Sequence, residues 1–160
     1  MRHDMPQDVP PEGSDAAGYR TLDRHSCLRR LRGGIVGRVV FTDGALPAAQ
    51  PVNYVLDGEE VLFRTASAGK VAAATRGAVV AFQVDDIDPA ARTGWSVLGV
   101  GEAYEVVDPQ RLAQVSGLGL DTWAPLASNH VVCVPLQVLT GRELVRIPAV
   151  PLRRLAEAEG

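Results

Sequence analysis

Lysine is almost missing from this chain. Of sixteen Lys and Arg residues, only Lys70 is a lysine. High-GC coding produces such a bias, which alone says nothing about mechanism. Charge of one sign is not in excess either. The net charge is −3 and the isoelectric point near 5.6, so there is no basic footprint of the kind that binds nucleic acid. Cysteine is scarce. Cys27 and Cys133 form no CxxC pair and no Cys/His cluster, which argues against a zinc site, and a disulfide is not expected in a reducing compartment. No apolar run approaches the ~18 residues that span a bilayer. Residues 1–15 are acidic and proline-containing with no apolar stretch, and do not read as a signal peptide. The expectation is a cytoplasmic protein with neither a membrane nor a nucleic-acid partner. No Ser/His/Asp or Cys/His set can be assembled, so no catalytic side chain is assigned. Asp85, Asp86 and Asp88 lack the glycine and distal glutamate of a calcium loop and read as a solvated turn, so no metal is expected.

What is present is the material of one β-rich domain. At 160 residues and 46% apolar composition, a chain can bury roughly two thirds of its unfolded surface. Residues 1–18 read as a disordered tail, 19–150 as the folded domain and 151–160 as a C-terminal tail. A helix is predicted over 21–31, with Leu22, Cys27, Leu28 and Leu31 on one face, Thr21 as its cap and Gly33-Gly34 as its end. Strands are predicted over 35–41, 50–56, 59–65, 78–84, 95–107, 130–139 and 142–147. Asp57-Gly58 marks a hairpin. Gly99 and Gly101 suggest a bulge or bend, and Thr140-Gly141 a break. Short helices are expected over 67–75 and, opened by Asp108-Pro109, over 109–116. Strands and helices do not alternate regularly, which disfavours a parallel doubly wound sheet and favours an antiparallel barrel with peripheral helices.

Chemistry concentrates in QPVNYVLDGEEVLFRTASAGK, residues 50–70. A strand ending in Arg64-Thr65 meets a turn, and Ser67 caps the short helix. The amides of Ala68, Gly69 and Lys70 are then unpaired, an anion site flanked by the guanidinium of Arg64 and the ammonium of Lys70. The plainer reading makes Arg64 and Lys70 solvated surface charges. A lysine in a first helical turn opposes the helix dipole unless an anion is bound there.

The run of PVNY, DG, LFRTASAGK, VAFQVDDID, GWSVLGVGEAYEV and LTGREL, in that order, resembles the FMN-binding split-barrel family of pyridoxamine 5′-phosphate oxidase, in its small bacterial branch. The match spans residues 22–147. The resemblance implies a mainly β fold with peripheral helices, a six-stranded antiparallel split β-barrel that forms a homodimer with FMN at the interface. It implies that Pro51, Val52 and Asn53 line the flavin ring, that Arg64 and Thr65 reach the ribityl chain or phosphate, that Lys70 binds phosphate, and that Trp95 and Ser96 approach from the next long strand. The function so implied is a flavin-dependent oxidoreductase acting on a small-molecule acceptor. A deazaflavin-dependent reductase, or a non-catalytic dimer that binds flavin or haem, are the alternatives. The contacts to vitamin B6 substrates have no counterpart here.

Overall fold

Two-residue alternation of apolar and polar side chains organises most of the chain into strands. The computed structural model describes residues 14–15, 18–65, 71, 75–123 and 130–145. Within these, the elements in order are β1 (Ser14–Asp15), β2 (Tyr19–Leu22), α1 (Arg24–Arg32), β3 (Val36–Asp43), β4 (Leu46–Asp57), β5 (Glu60–Thr65), β6 (Val79–Asp88), β7 (Thr93–Glu102), β8 (Tyr104–Glu105), α2 (Pro109–Ser116), β9 (His130–Pro135) and β10 (Val138–Leu144). The strands join in the order β1-β2-β10-β7-β6-β3-β4-β5-β9-β8, and every pair is antiparallel.

This corrects the expected six-stranded split barrel. The mainly β character with peripheral helices stands, but among the described residues the sheet has ten strands in one open order, with β1 and β8 at its ends. Three local facts raise the number. Residues 14–15, read as tail, pair with β2. Thr21, read as a helix cap, lies in β2 opposite Arg142. The long strand predicted over 95–107 is interrupted at Ala103, whose N–H donates to Ala78 O while its carbonyl accepts from Gly77 N. The chain after Ala103 pairs with β9 as β8.

The strand β4 carries the architecture. Its residues Leu46 to Asn53 pair with β3, and Tyr54 to Asp57 pair with β5. One strand thus serves two pairings in succession. The β4–β5 hairpin turns as predicted after Asp57, with Gly58 at φ +60°, a backbone conformation that glycine adopts without steric cost.

Helix α1 begins at Arg24 because Asp23, not Thr21, supplies the cap. Its Oδ1 accepts from Ser26 N at 2.7 Å, a bond that also holds the Asp23 carboxyl below its ordinary pKa. Gly33 ends the helix. Helix α2 starts as expected, with Asp108 accepting from Arg111 N at 3.1 Å. Arg111 then ties α2 to the β4–β5 hairpin through Asp57 at 2.6 Å and Glu60 at 2.9 Å.

Three glycines were misread for one reason. Gly99 and Gly101 sit in regular register with Phe82 and Val80. A Cβ on Gly99 would lie 2.3 Å from Leu136, and one on Gly101 1.7 Å from the Pro135 carbonyl. They admit the corner between β9 and β10 rather than forming a bulge. Gly141 lies inside β10 opposite Val97, with Cys27 Sγ 2.5 Å from where its Cβ would be. The break between the last strands falls instead at Leu136-Gln137.

The core has two parts. The larger gathers α1 and the inward residues of the sheet, including Cys27, Leu31, Val39, Phe63, Phe82, Val97 and Val134. The smaller, Leu62, Val106, Val115, Leu120, Val131 and Cys133, lies under α2. Burying each such side chain contributes about 1.5–3 kcal/mol.

Candidate functional site

Because neighbouring residues of a strand point to opposite faces, burial separates the inner from the outer side of the sheet. Val39, Phe82 and Val97 are buried, so the residues beside them face outward. Register lines these up across five strands. Val138, Val100, Ala81, Val40 and Ala49 form one apolar row, and Thr140, Leu98, Gln83, Arg38 and Pro51 the next. All are exposed or half-buried. Neither α1 nor α2 packs on this surface, since their buried residues belong to the two core clusters. A polar chain crosses it. Gln83 Nε2 donates to Asp85 and, at 3.4 Å, to Ser96 Oγ, and Arg38 bonds Gln83 Oε1 at 3.4 Å.

The sequence-predicted residues distribute over both sides. Pro51 faces outward, whereas Val52 packs against the larger core cluster. Asn53 stands where the uncovered surface meets the α2-covered one, since Val55, two residues on, packs in the smaller cluster. Arg64 shares the side of Leu62, and its Nε donates to Leu120 O at 3.1 Å. Asn53 Oδ1 accepts from Trp123 N at 3.0 Å. The other end of that amide, Nδ2, is buried and has no hydrogen-bond partner among the described residues. Thus Asn53 and Arg64 both fasten the chain that leaves α2, across 70 and 56 residues respectively, links that the local sequence pattern does not signal. Trp123 itself is 75% exposed.

Thr65 is buried and pairs with His130 across β5 and β9. The His130 Nδ1 bonds Glu105, whose other oxygen is 3.6 Å from Arg76 Nε. Ser67, Ala68, Gly69 and Lys70 lie outside the described residues. Val71 and Thr75 are helical, with Thr75 Oγ1 donating to Val71 O at 2.6 Å. On β7 the predicted pair divides. Ser96 faces outward into the Gln83 chain. Trp95 packs against the larger core cluster, with the Arg30 guanidinium 5.5 Å from its ring centre. Arg30 in turn bonds Glu143, which also holds Arg20.

Asp85, Asp86 and Asp88 belong to β6 rather than to a turn. Among the described residues, no group of three or more His, Cys, Asp or Glu is placed to hold a metal ion, and no helix is long and apolar enough to cross a membrane.

Comparison with known proteins gives this geometry a context. The chain is 42% identical over 135 residues to the uncharacterised protein Rv0080 of Mycobacterium tuberculosis, covering 81% of this chain and 88% of that one. Among solved structures, it is similar to the FAD binding protein from Mycobacterium smegmatis, at 33% identity and a TM-score of 0.68, covering 78% of this chain and 97% of that one. It is also similar to a conserved protein of unknown function, DIP1874, from Corynebacterium diphtheriae, at 32% identity and a TM-score of 0.68, covering 80% and 99% respectively. The sequence profile of pyridoxamine 5′-phosphate oxidase matches residues 23–143. With that match running from the α1 cap through nearly all of β10, the chain belongs to the pyridoxamine 5′-phosphate oxidase-like family of flavin-binding, oxidoreductase-like proteins.

Proposed function

We propose that the protein is an FMN-binding oxidoreductase that works as a homodimer and reduces a small acceptor molecule. The observation that carries this reading is the Asn53 side-chain amide. Its Nδ2 is buried without a partner among the described residues, beside the uncovered sheet surface, and such a donor costs about 1–3 kcal/mol until something accepts from it. A flavin fits what stands there. Its planar ring offers acceptor atoms on one edge, and its nucleotide end offers phosphate to cations.

In this arrangement the ring lies against the β4 end of the outer surface. The Pro51, Val52 and Asn53 stretch lines it, and Ser96 faces it from β7. Trp95 stands behind Ser96 and keeps β7 in place through Arg30. Arg64 and Thr65 serve the ribityl and phosphate end, with Lys70 as the further cation for the phosphate. A bound flavin supplies the two-electron chemistry, and these residues bind and orient it. The apolar row from Val138 to Ala49 supports the homodimer, because a bare apolar sheet surface in water favours association with its own copy.

FAD is the second reading, favoured by the FAD binding protein from Mycobacterium smegmatis at 33% identity. The test is the visible spectrum of the pure protein, followed by titration with FMN, FAD and a deazaflavin in competition. Flavin bands that appear on saturation, with FMN displacing the others, are expected. No binding of any of the three at saturation overturns the proposal. Binding without turnover, using a nicotinamide donor and a quinone acceptor, makes the protein a flavin carrier or sensor instead.

A further inference from the structure

The stretch that leaves α2 is held across the site by two side chains, and both belong to the candidate cofactor set. Arg64 Nε reaches Leu120 O at 3.1 Å, and Asn53 Oδ1 takes the N–H of Trp123 at 3.0 Å. The second bond settles the orientation of the Asn53 amide. A backbone N–H only donates, so the oxygen faces Trp123 and the NH2 faces the other way. That NH2 is the buried group without a partner among the described residues. Meanwhile the Trp123 indole is 75% exposed, although its backbone is pinned. An aromatic side chain of this size on a pinned backbone, yet itself uncovered, offers a flat ligand a wall to stack on.

We propose that Asn53 couples a bound flavin ring to the placement of Trp123. Nδ2 donates to an acceptor atom on the ring edge, Oδ1 holds the Trp123 backbone, and the indole covers the ring from the solvent side. One amide then does two things at once. It reads the ligand, and it keeps the covering residue where the ligand arrives. Trp123 is therefore a positioning and specificity residue, selecting planar aromatic ligands over phosphate-bearing ligands without a ring system. The inference rests on the flavin reading above.

The chain has two tryptophans, Trp95 and Trp123, so fluorescence separates them. FMN and FAD are titrated into the full-length wild type, Trp123→Phe, Trp95→Phe and Asn53→Asp, following both tryptophan emission and flavin absorbance. Quenching by bound flavin is expected to survive in Trp95→Phe and to fall by more than half in Trp123→Phe. Asn53→Asp keeps an acceptor for the Trp123 N–H but turns the donor into an oxygen. It is expected to weaken flavin binding at least about tenfold, the scale of one hydrogen bond replaced by repulsion. Inorganic phosphate is the control ligand, and its affinity should not change in Trp123→Phe. Equal quenching in Trp123→Phe and wild type, or flavin affinity of Asn53→Asp within twofold of wild type, overturns the coupling while leaving flavin binding intact. Wild type that takes up no flavin at all fails the earlier reading, and this one with it. If Asn53→Asp does not fold, the emission of Trp123→Phe alone decides.

Discussion

The outer side of the sheet exists in two versions, and their contrast is instructive. Over β5, β9 and β8 the chain covers its own strands: α2 and Leu120 close a dry cluster around Leu62, Val131 and Cys133. Over β10, β7, β6, β3 and the first part of β4, an apolar row from Val138 to Ala49 stands uncovered beside a mixed row that carries Gln83 and Arg38. The same strand grammar makes both surfaces. What differs is that α2 closes one of them. Among the described residues, one side is closed by a helix and the other is not, and Asn53 lies on the border.

The largest effect that probes this contrast comes from a charge placed on each side. Val115→Asp buries a carboxylate in the α2 cluster, where Val115 is fully buried, and is expected to lower stability by about 3–5 kcal/mol, read as a large drop in melting temperature. Val100→Asp, in the uncovered row, should leave the melting temperature of the monomer nearly unchanged and shift sedimentation toward 17 kDa. If both variants unfold alike, the two surfaces are not different in kind.

Alkaline pH probes the interiors behind them. Burial pushes the Cys27 thiol up to about 11 in the larger cluster and the Cys133 thiol up to about 11 in the smaller. Burial likewise raises Tyr54 to about 12; its hydroxyl donates to Leu31 O at 2.5 Å. Each group is neutral in the fold and ionises more readily when unfolded. The stability they add is therefore complete below about pH 9 and is lost as pH rises through 11 to 12. Denaturant midpoints measured from pH 7 to 12 should fall in that window. Tyr54→Phe should cost about 1 kcal/mol at pH 7 and flatten the upper part of the decline. A midpoint constant to pH 12 contradicts the burial of these groups. Neither thiol should react with a soluble disulfide reagent at pH 8 until the protein unfolds.

The smallest effect lies in the polar chain on the uncovered surface. Arg38 is exposed, 3.6 Å from Asp85, and Arg38→Ala should change stability by less than about 0.5 kcal/mol. A larger loss in urea titration shows that the surface is sealed after all.

Much of this was legible in the sequence, and the failures have a common cause. Alternation located the main strands, Asp57-Gly58 gave the hairpin, and Asp108-Pro109 gave α2, because those signals act within a few residues. Gly99, Gly101 and Gly141 were misread because a glycine that admits a distant side chain looks, locally, like one that makes a turn. The strand order escaped for the same reason: whether the sheet closes depends on which distant strands pair. At the site, the neighbourhood of Asn53 and Arg64 follows from the hairpin and was in reach. The tie from Asn53 to Trp123 was not, since nothing near either residue announces the other. The corner around Ser67 and Lys70, on which the sequence reading of a phosphate site turned, lies outside the described residues.

The changeover in β4 has a mechanical consequence. Asn53 is the last partner of β3 and Tyr54 the first partner of β5, and Tyr54 N also donates to Ile35 O at 3.1 Å, so no slack residue separates the two ladders. Sliding one half of the sheet past the other would rupture both at once. An extra residue inserted at this joint would reverse the facing of everything on one side of it. The frame around Asn53 is accordingly stiff, and the two bonds from Arg64 to Leu120 and from Asn53 to Trp123 tie the chain after α2 directly to it.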